Sequence, residues 1–147
     1  MSSTKPSIPA RLSEIIDDFQ LAEGREKIDL LIEYAEKVPL IPERMAKRLG
    51  RLEQVQECMT PVFVMAKTKN HRMQFFFDIP PQSPTVRGFA ALLSEGLRDA
   101  TPEQVLQVPN DFYMQMGLHH VLTSQRLNGI AAILAHIKQL ALKEIAQ

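Results

Sequence analysis

The chain has 147 residues, the size of one domain, and 45% of them are apolar, which excludes a disordered chain. Lysine plus arginine number 17 and aspartate plus glutamate 17, so the formal charge is zero; without a basic excess, nucleic acid is not the expected ligand. The single cysteine, Cys58, excludes an intramolecular disulfide and a multi-cysteine zinc or iron–sulfur site within one chain.

Residues 1–10 read as a flexible N-terminal tail and 11–147 as one domain. The opening residues lack the apolar run of a secretory signal. The longest apolar run, Gly129–Ile137, falls far short of the ~20 residues of a membrane helix. The last residues match no lipidation signal. The expectation is a cytoplasmic protein with no membrane contact, in a compartment where a thiol stays reduced.

A first helix is predicted from Leu12 to about Ala22, with Ile15, Ile16 and Phe19 on one face. Gly24 breaks it. A second is predicted from Arg25 to Lys37, with Ile28, Leu31, Ile32 and Ala35 inward and Glu26, Lys27, Glu33 and Lys37 in solvent. The prolines of Val38–Pro42 stop it. Residues 43–57 fit either a surface helix or an ordered loop. Their basic residues Arg44, Lys47, Arg48 and Arg51 are a solvated face or a docking patch for an acidic partner.

The period then changes to two. Val62, Val64 and Ala66 alternate with Phe63, Met65 and Lys67, and Met73, Phe75, Phe77 and Ile79 with Arg72, Gln74, Phe76 and Asp78. A turn near Lys69–Asn70 makes these an antiparallel hairpin, with Val55 and Gln56 a candidate short third strand. Pro80–Pro81 ends it. Helical period returns in the stripe Val86, Phe89, Ala90, Leu93 and Leu97. Thr101-Pro-Glu-Gln104 is a helix start, Asn110 or Asp111 caps a short helix that Gly117 ends, and the last helix begins near Ser124. Leu127, Ile130, Ala131, Leu134, Ile137 and Ala141 mark its buried stripe. The fold class is α+β: a two-layer domain with a small antiparallel sheet packed against several helices.

Cys58 precedes the first clear strand, where loops often carry function. A free cysteine is also a common space-filler in cores. Its neighbours Gln56, Glu57 and Thr60 are polar, and Pro61 favours extended backbone before it. Arg51 and the other nearby cations favour a thiolate and Glu57 opposes it. A cysteine–histidine hydrolase would need His71, His119, His120 or His136 beside Cys58. No spacing supports a zinc site. Arg126, in the first turn of the last helix, is misplaced against the helix dipole and so points to a partner elsewhere; Arg87 invites the same remark.

Four segments in order resemble the SufE family: Val55-Gln-Glu-Cys-Met-Thr-Pro-Val-Phe-Val64, Thr85-Val-Arg-Gly-Phe-Ala-Ala-Leu-Leu93, Thr101-Pro-Glu-Gln-Val-Leu106 and Leu122-Thr-Ser-Gln-Arg-Leu-Asn-Gly129. The likeness spans roughly residues 12–142. It implies a sulfur acceptor acting through a cysteine persulfide on Cys58, an accessory protein rather than a stand-alone enzyme. The implied donor is a cysteine desulfurase, which the protein would stimulate; the implied destination is an iron–sulfur scaffold complex. It implies neither cofactor nor metal. Arg126 matches the family's signature arginine and Arg87 a basic position of its helix, with Glu57 and Arg51 as supporting residues beside Cys58. The sequence departs from the family around the cysteine, where Glu57, Met59 and Thr60 replace glycine and glutamine–serine. It departs again at Pro80, Gln82 and Val121. The competing readings are a helical adaptor with a structural Cys58 and a cysteine–histidine hydrolase.

Overall fold

Helix α1 (Ala10–Leu21) buries Leu12, Ile15, Ile16 and Phe19, the face its periodicity predicts. The computed structural model describes residues 8–42, 53–54 and 62–146, with Glu53 and Gln54 described by backbone alone. Residues 1–7 of the expected tail lie outside these, while Ile8 packs against the core.

Helix α2 (Arg25–Ala35) starts at Gly24, whose φ of 51° suits glycine. Its inward face differs from the expected one. Lys27, Leu31 and Ala35 are buried, and Ile32 is exposed. The cause lies in α3 (Pro84–Gly96). A Cβ on Gly88 would stand 2.0 Å from the Leu31 carbonyl oxygen, so the two backbones meet where only glycine fits. That approach turns Leu31 inward and brings Lys27, one turn earlier, with it. The Lys27 stem lies along Gly117, and its Nζ donates to the Phe19 carbonyl at the end of α1. A cation is favourable there, because the helix C-terminus presents unpaired carbonyls.

The sheet has three antiparallel strands in the order β1 (Glu53–Gln54), β2 (Phe63–Lys69) and β3 (Arg72–Asp78). The hairpin register runs from Phe63↔Asp78 to Lys69↔Arg72. Asn70 and His71 close it, both at positive φ, as a two-residue hairpin turn with the sheet's twist requires. The third strand sits at Glu53–Gln54; Val55 and Gln56 lie outside the described residues. Val62, Val64, Met73, Phe75, Phe77 and Ile79 face the core as their alternation predicts. Each such fully buried aliphatic or Phe side chain contributes about 1.5–3 kcal/mol.

Two chain segments cover the outer edge of β3. Pro39 accepts from the Phe77 amide and Ile41 donates to the Phe77 carbonyl. Ala100 and Asp99 do the same at Met73. The proline-rich stop after α2 is therefore also an edge cover.

Helix α3 is buried nearly all round and packs on α1, α2, β3 and α6. Helix α4 (Pro102–Gln107) opens with a full capping box: the Gln104 amide donates to Thr101 Oγ1 at 3.2 Å, and the Thr101 amide to Gln104 Oε1 at 2.9 Å. Short α5 (Phe112–Gln115) has Asp111 at its N-cap position, but neither candidate caps it with a side chain. Asn110 Oδ1 instead accepts from Lys138 at 2.7 Å. After Gly117 and a single 3-10 turn, Leu118–His120, helix α6 (Ser124–Ala146) buries Ile130, Ile133, Leu134, Ile137 and Ala141. Ile133 replaces the expected Ala131, which is half-buried. Helices against one face of a small antiparallel sheet make the domain α+β, as expected.

Candidate functional site

Cys58, Glu57 and Arg51 lie outside the described residues. The segment that carries Cys58 is nevertheless held at both ends. Gln54 of β1 pairs with Phe63 of β2, so residues 55–62 leave and rejoin the sheet at adjacent positions. Val62, at the rejoining end, is fully buried. Phe63 in turn faces Asp78, so this is the end of the sheet where β3 runs into α3.

Both predicted arginines belong to the structure around the start of α3. Arg87, half-buried in its first turn, donates from Nε to the Ile79 carbonyl at 2.9 Å. It thus ties the end of β3 to the helix that follows. Arg126 approaches from the first turn of α6. Its amide donates to Thr123 Oγ1 at 3.3 Å, which makes Thr123 the cap of α6. Its guanidinium turns away from its own helix terminus and donates through Nη1 to the hydroxyl of Thr85. Thr85 is 7% exposed, so this hydroxyl is a fixed acceptor rather than a mobile one. Arg126 thereby gains an acceptor on another helix, but Thr85 also lies in a first turn, so the bond leaves the dipole misfit in place. Thr85 is the residue that sequence reasoning did not single out. Its only signal is a hydroxyl in the first turn of a helix that is otherwise apolar inside.

Beside this pair lies an open cavity of about 280 Å³, lined by Ile28, Thr85, Val121, Leu122, Thr123 and Arg126. It offers an apolar wall with a cation and hydroxyls at its rim. That combination suits a partner side chain carrying a carboxylate or other anion.

The histidines are dispersed. His71 is in the hairpin turn, at the far end of β2 from Phe63, where its Nε2 stands 2.7 Å from Glu103 Oε1. Glu103's carboxyl is held below the usual carboxylate range, first by its own backbone N–H and then by His71. The rings of His119 and His120 lie 3.9 Å apart. Among the described residues no three His, Cys, Asp or Glu side chains gather as metal ligands. No described helix is long and apolar enough to cross a membrane.

Residues 13–141 match the family model SufE, described as an Fe-S metabolism associated domain. An uncharacterised SufE-like protein of Mycobacterium tuberculosis is 37% identical over 134 residues, covering 90% of this chain and 92% of the relative. A SufE-like protein of Synechocystis is 28% identical over 95% of this chain and 84% of its own. The solution structure of a hypothetical protein from Thermus thermophilus superposes with a TM-score of 0.84. It is 35% identical and covers 96% of this chain and all of the other.

Proposed function

The chain belongs to the SufE family, and from that premise we propose that it accepts persulfide sulfur from a cysteine desulfurase onto Cys58 and passes it on for iron–sulfur cluster assembly. The observation that carries the proposal is the single thiol of the chain, set between two paired strand ends in a chain of this family. We take residues 11–147 as the working domain and the reducing cytoplasm as its compartment.

The chemistry is an exchange. The donor holds a persulfide on its own cysteine. The Cys58 thiolate attacks the terminal sulfur, a bond forms between Cys58 Sγ and that sulfur, and the donor's S–S bond breaks. The electron pair leaves with the donor thiolate, so no external oxidant or reductant is needed. One thiol per acceptor suffices, and the donor supplies the oxidised sulfur. A second exchange of the same kind hands the sulfur to the next thiol, on an iron–sulfur scaffold complex.

In this reading Arg126 is a docking group for an anionic side chain of the donor, pre-aimed by Thr85. Arg87 is a positioning residue that fixes the β3–α3 corner. Glu57 and Arg51 are the supporting residues proposed for Cys58, the one opposing and the other favouring its thiolate. His71 lies in the hairpin turn, and six residue steps, ~20 Å at the rise of a β-strand, separate Phe63 from Lys69 beside it.

The test is intact-mass measurement after incubation with a cognate desulfurase and cysteine, under nonreducing conditions. The native chain gains one sulfur and Cys58→Ser gains none. An unchanged native mass, with complex formation demonstrated, overturns sulfur transfer. Wild-type stimulation of the desulfurase by Cys58→Ser would favour the adaptor reading. Ester or amide turnover without any partner would favour the hydrolase.

A further inference from the structure

The hairpin face turned away from the core is divided along its length. Near the Phe63–Asp78 end it carries Phe63, the buried Met65, Phe76 and the exposed carboxylate of Asp78; near the turn it carries Lys67, Lys69, Arg72 and Gln74, all exposed. Arg98, just beyond α3, adds a fourth cation. Two cavities meet at Gln74. One, of about 420 Å³, is lined by Lys67, Lys69, Asn70, Arg72, Gln74 and Asp99. The other, of about 180 Å³, is lined by Pro39, Gln74, Phe75, Phe76, Ser94 and Arg98.

Three features distinguish this patch from an ordinary solvated face. Lys69 and Arg72 stand directly opposite each other in the register, where like charges repel. Among the described residues, Lys67, Lys69 and Arg98 have no carboxylate partner. Arg72 reaches only the Asp99 backbone carbonyl, at 2.9 Å. Finally, the edge cover of β3 has a gap. Met73 and Phe77 turn their amide and carbonyl outward and are both met. Phe75, by the two-residue period, faces the same way. Its carbonyl accepts from Ser94 Oγ at 3.2 Å, its amide meets no acceptor among the described residues, and the residue, 1% exposed, lies at the wall of the smaller cavity. Lysines on an exposed strand also discourage edge pairing, but that role needs neither cavities nor an unpaired amide.

We propose that this surface binds an extended acidic segment of a protein partner. Alternate carboxylates face Lys67, Lys69, Arg72 and Arg98. The spacing favours a peptide over a single small anion. Lys67 and Lys69 are two strand residues apart, ~7 Å, which is the repeat of same-side residues in an extended chain. The chain's zero net charge provides no general attraction for nucleic acid. The patch is at the opposite end of the hairpin from Phe63 and Asp78. The argument is independent of sulfur transfer.

The test is titration of the isotope-labelled full chain with a synthetic peptide of alternating glutamate and serine, followed by amide NMR at low salt. Saturable shifts centre on residues 67–75 and 98, and they shrink as salt screens the charges. The double variant Lys67→Glu/Lys69→Glu and, separately, Arg98→Glu weaken binding by about tenfold, with the rest of the spectrum unchanged. Absence of saturable shifts, or unchanged affinity in both variants, overturns the proposal. So does equal binding of a lysine–serine peptide, or stronger binding of a single-stranded oligonucleotide or of inorganic phosphate.

Discussion

Arg126 and Thr85, 41 positions apart in the chain, are joined by a guanidinium–hydroxyl hydrogen bond that links the first turns of α6 and α3. Thr85→Val keeps the shape of the side chain and removes the acceptor. The expected loss is about 1 kcal/mol of stability, since Arg126 is itself exposed and can turn to water. Arg126→Ala removes the same bond and leaves the Thr85 hydroxyl without its donor, so it loses about 1 kcal/mol as well, and in addition it weakens desulfurase binding by about tenfold, which Thr85→Val does less. Calorimetric affinity beside thermal melting checks both; equal affinity for native and variant proteins would remove Arg126 from the docking surface.

Gly88→Ala has the opposite sign to the usual helix rule. In an exposed helix interior alanine is favoured over glycine by ~1 kcal/mol. Here the new Cβ would meet the Leu31 carbonyl oxygen at 2.0 Å, and neither backbone has room to yield. The expected cost is about 3 kcal/mol, read from the urea midpoint. A neutral result would mean that α2 and α3 separate more easily than their packing implies.

Lys27→Met retains the buried stem along Gly117 and removes only the ammonium that serves the Phe19 carbonyl. That carbonyl also accepts from the Ala22 amide at 3.2 Å, so it is not orphaned. The variant loses about 1 kcal/mol. Lys27→Asp, which reverses the charge beside the end of α1, loses clearly more. The ordering of the two urea midpoints is the measurement.

The His71–Glu103 pair gives a pH dependence of known sign. Glu103's carboxyl titrates below its ordinary range in the folded chain, so the unfolded chain binds more protons in between. Its contribution is fully present above the ordinary carboxylate range and is lost as pH falls through the folded value. His71→Ala removes the second of the two causes, so the Glu103 midpoint moves up in a carboxyl NMR titration. Both side chains are largely exposed, so the stability change is small and shrinks further in salt.

Much of this architecture is legible in the residues themselves. The hairpin follows from alternation in Met73, Phe75, Phe77 and Ile79, and the start of α4 from Thr101 and Gln104. What eluded the sequence depends on contacts between distant segments. The inward face of α2 is decided by Gly88, in another helix. The covering of β3 by Pro39 and Ala100 has no local pattern. Arg126 is recognisable as misplaced, but its partner Thr85 is not. Cys58 and the family likeness were legible in the sequence, whereas the surroundings of Cys58, Glu57 and Arg51 lie outside the described residues.

The two anchors of the segment bearing Cys58 are unequal. Downstream it enters a strand of seven residues behind a fully buried Val62; upstream it hangs on a strand of two at the sheet's edge. Local opening is cheapest where few ladder bonds must break. Glu53–Gln54 therefore opens before Phe63–Lys69 does. Faster amide exchange at 53–54 than at 63–69 is the measurement that checks this order of opening.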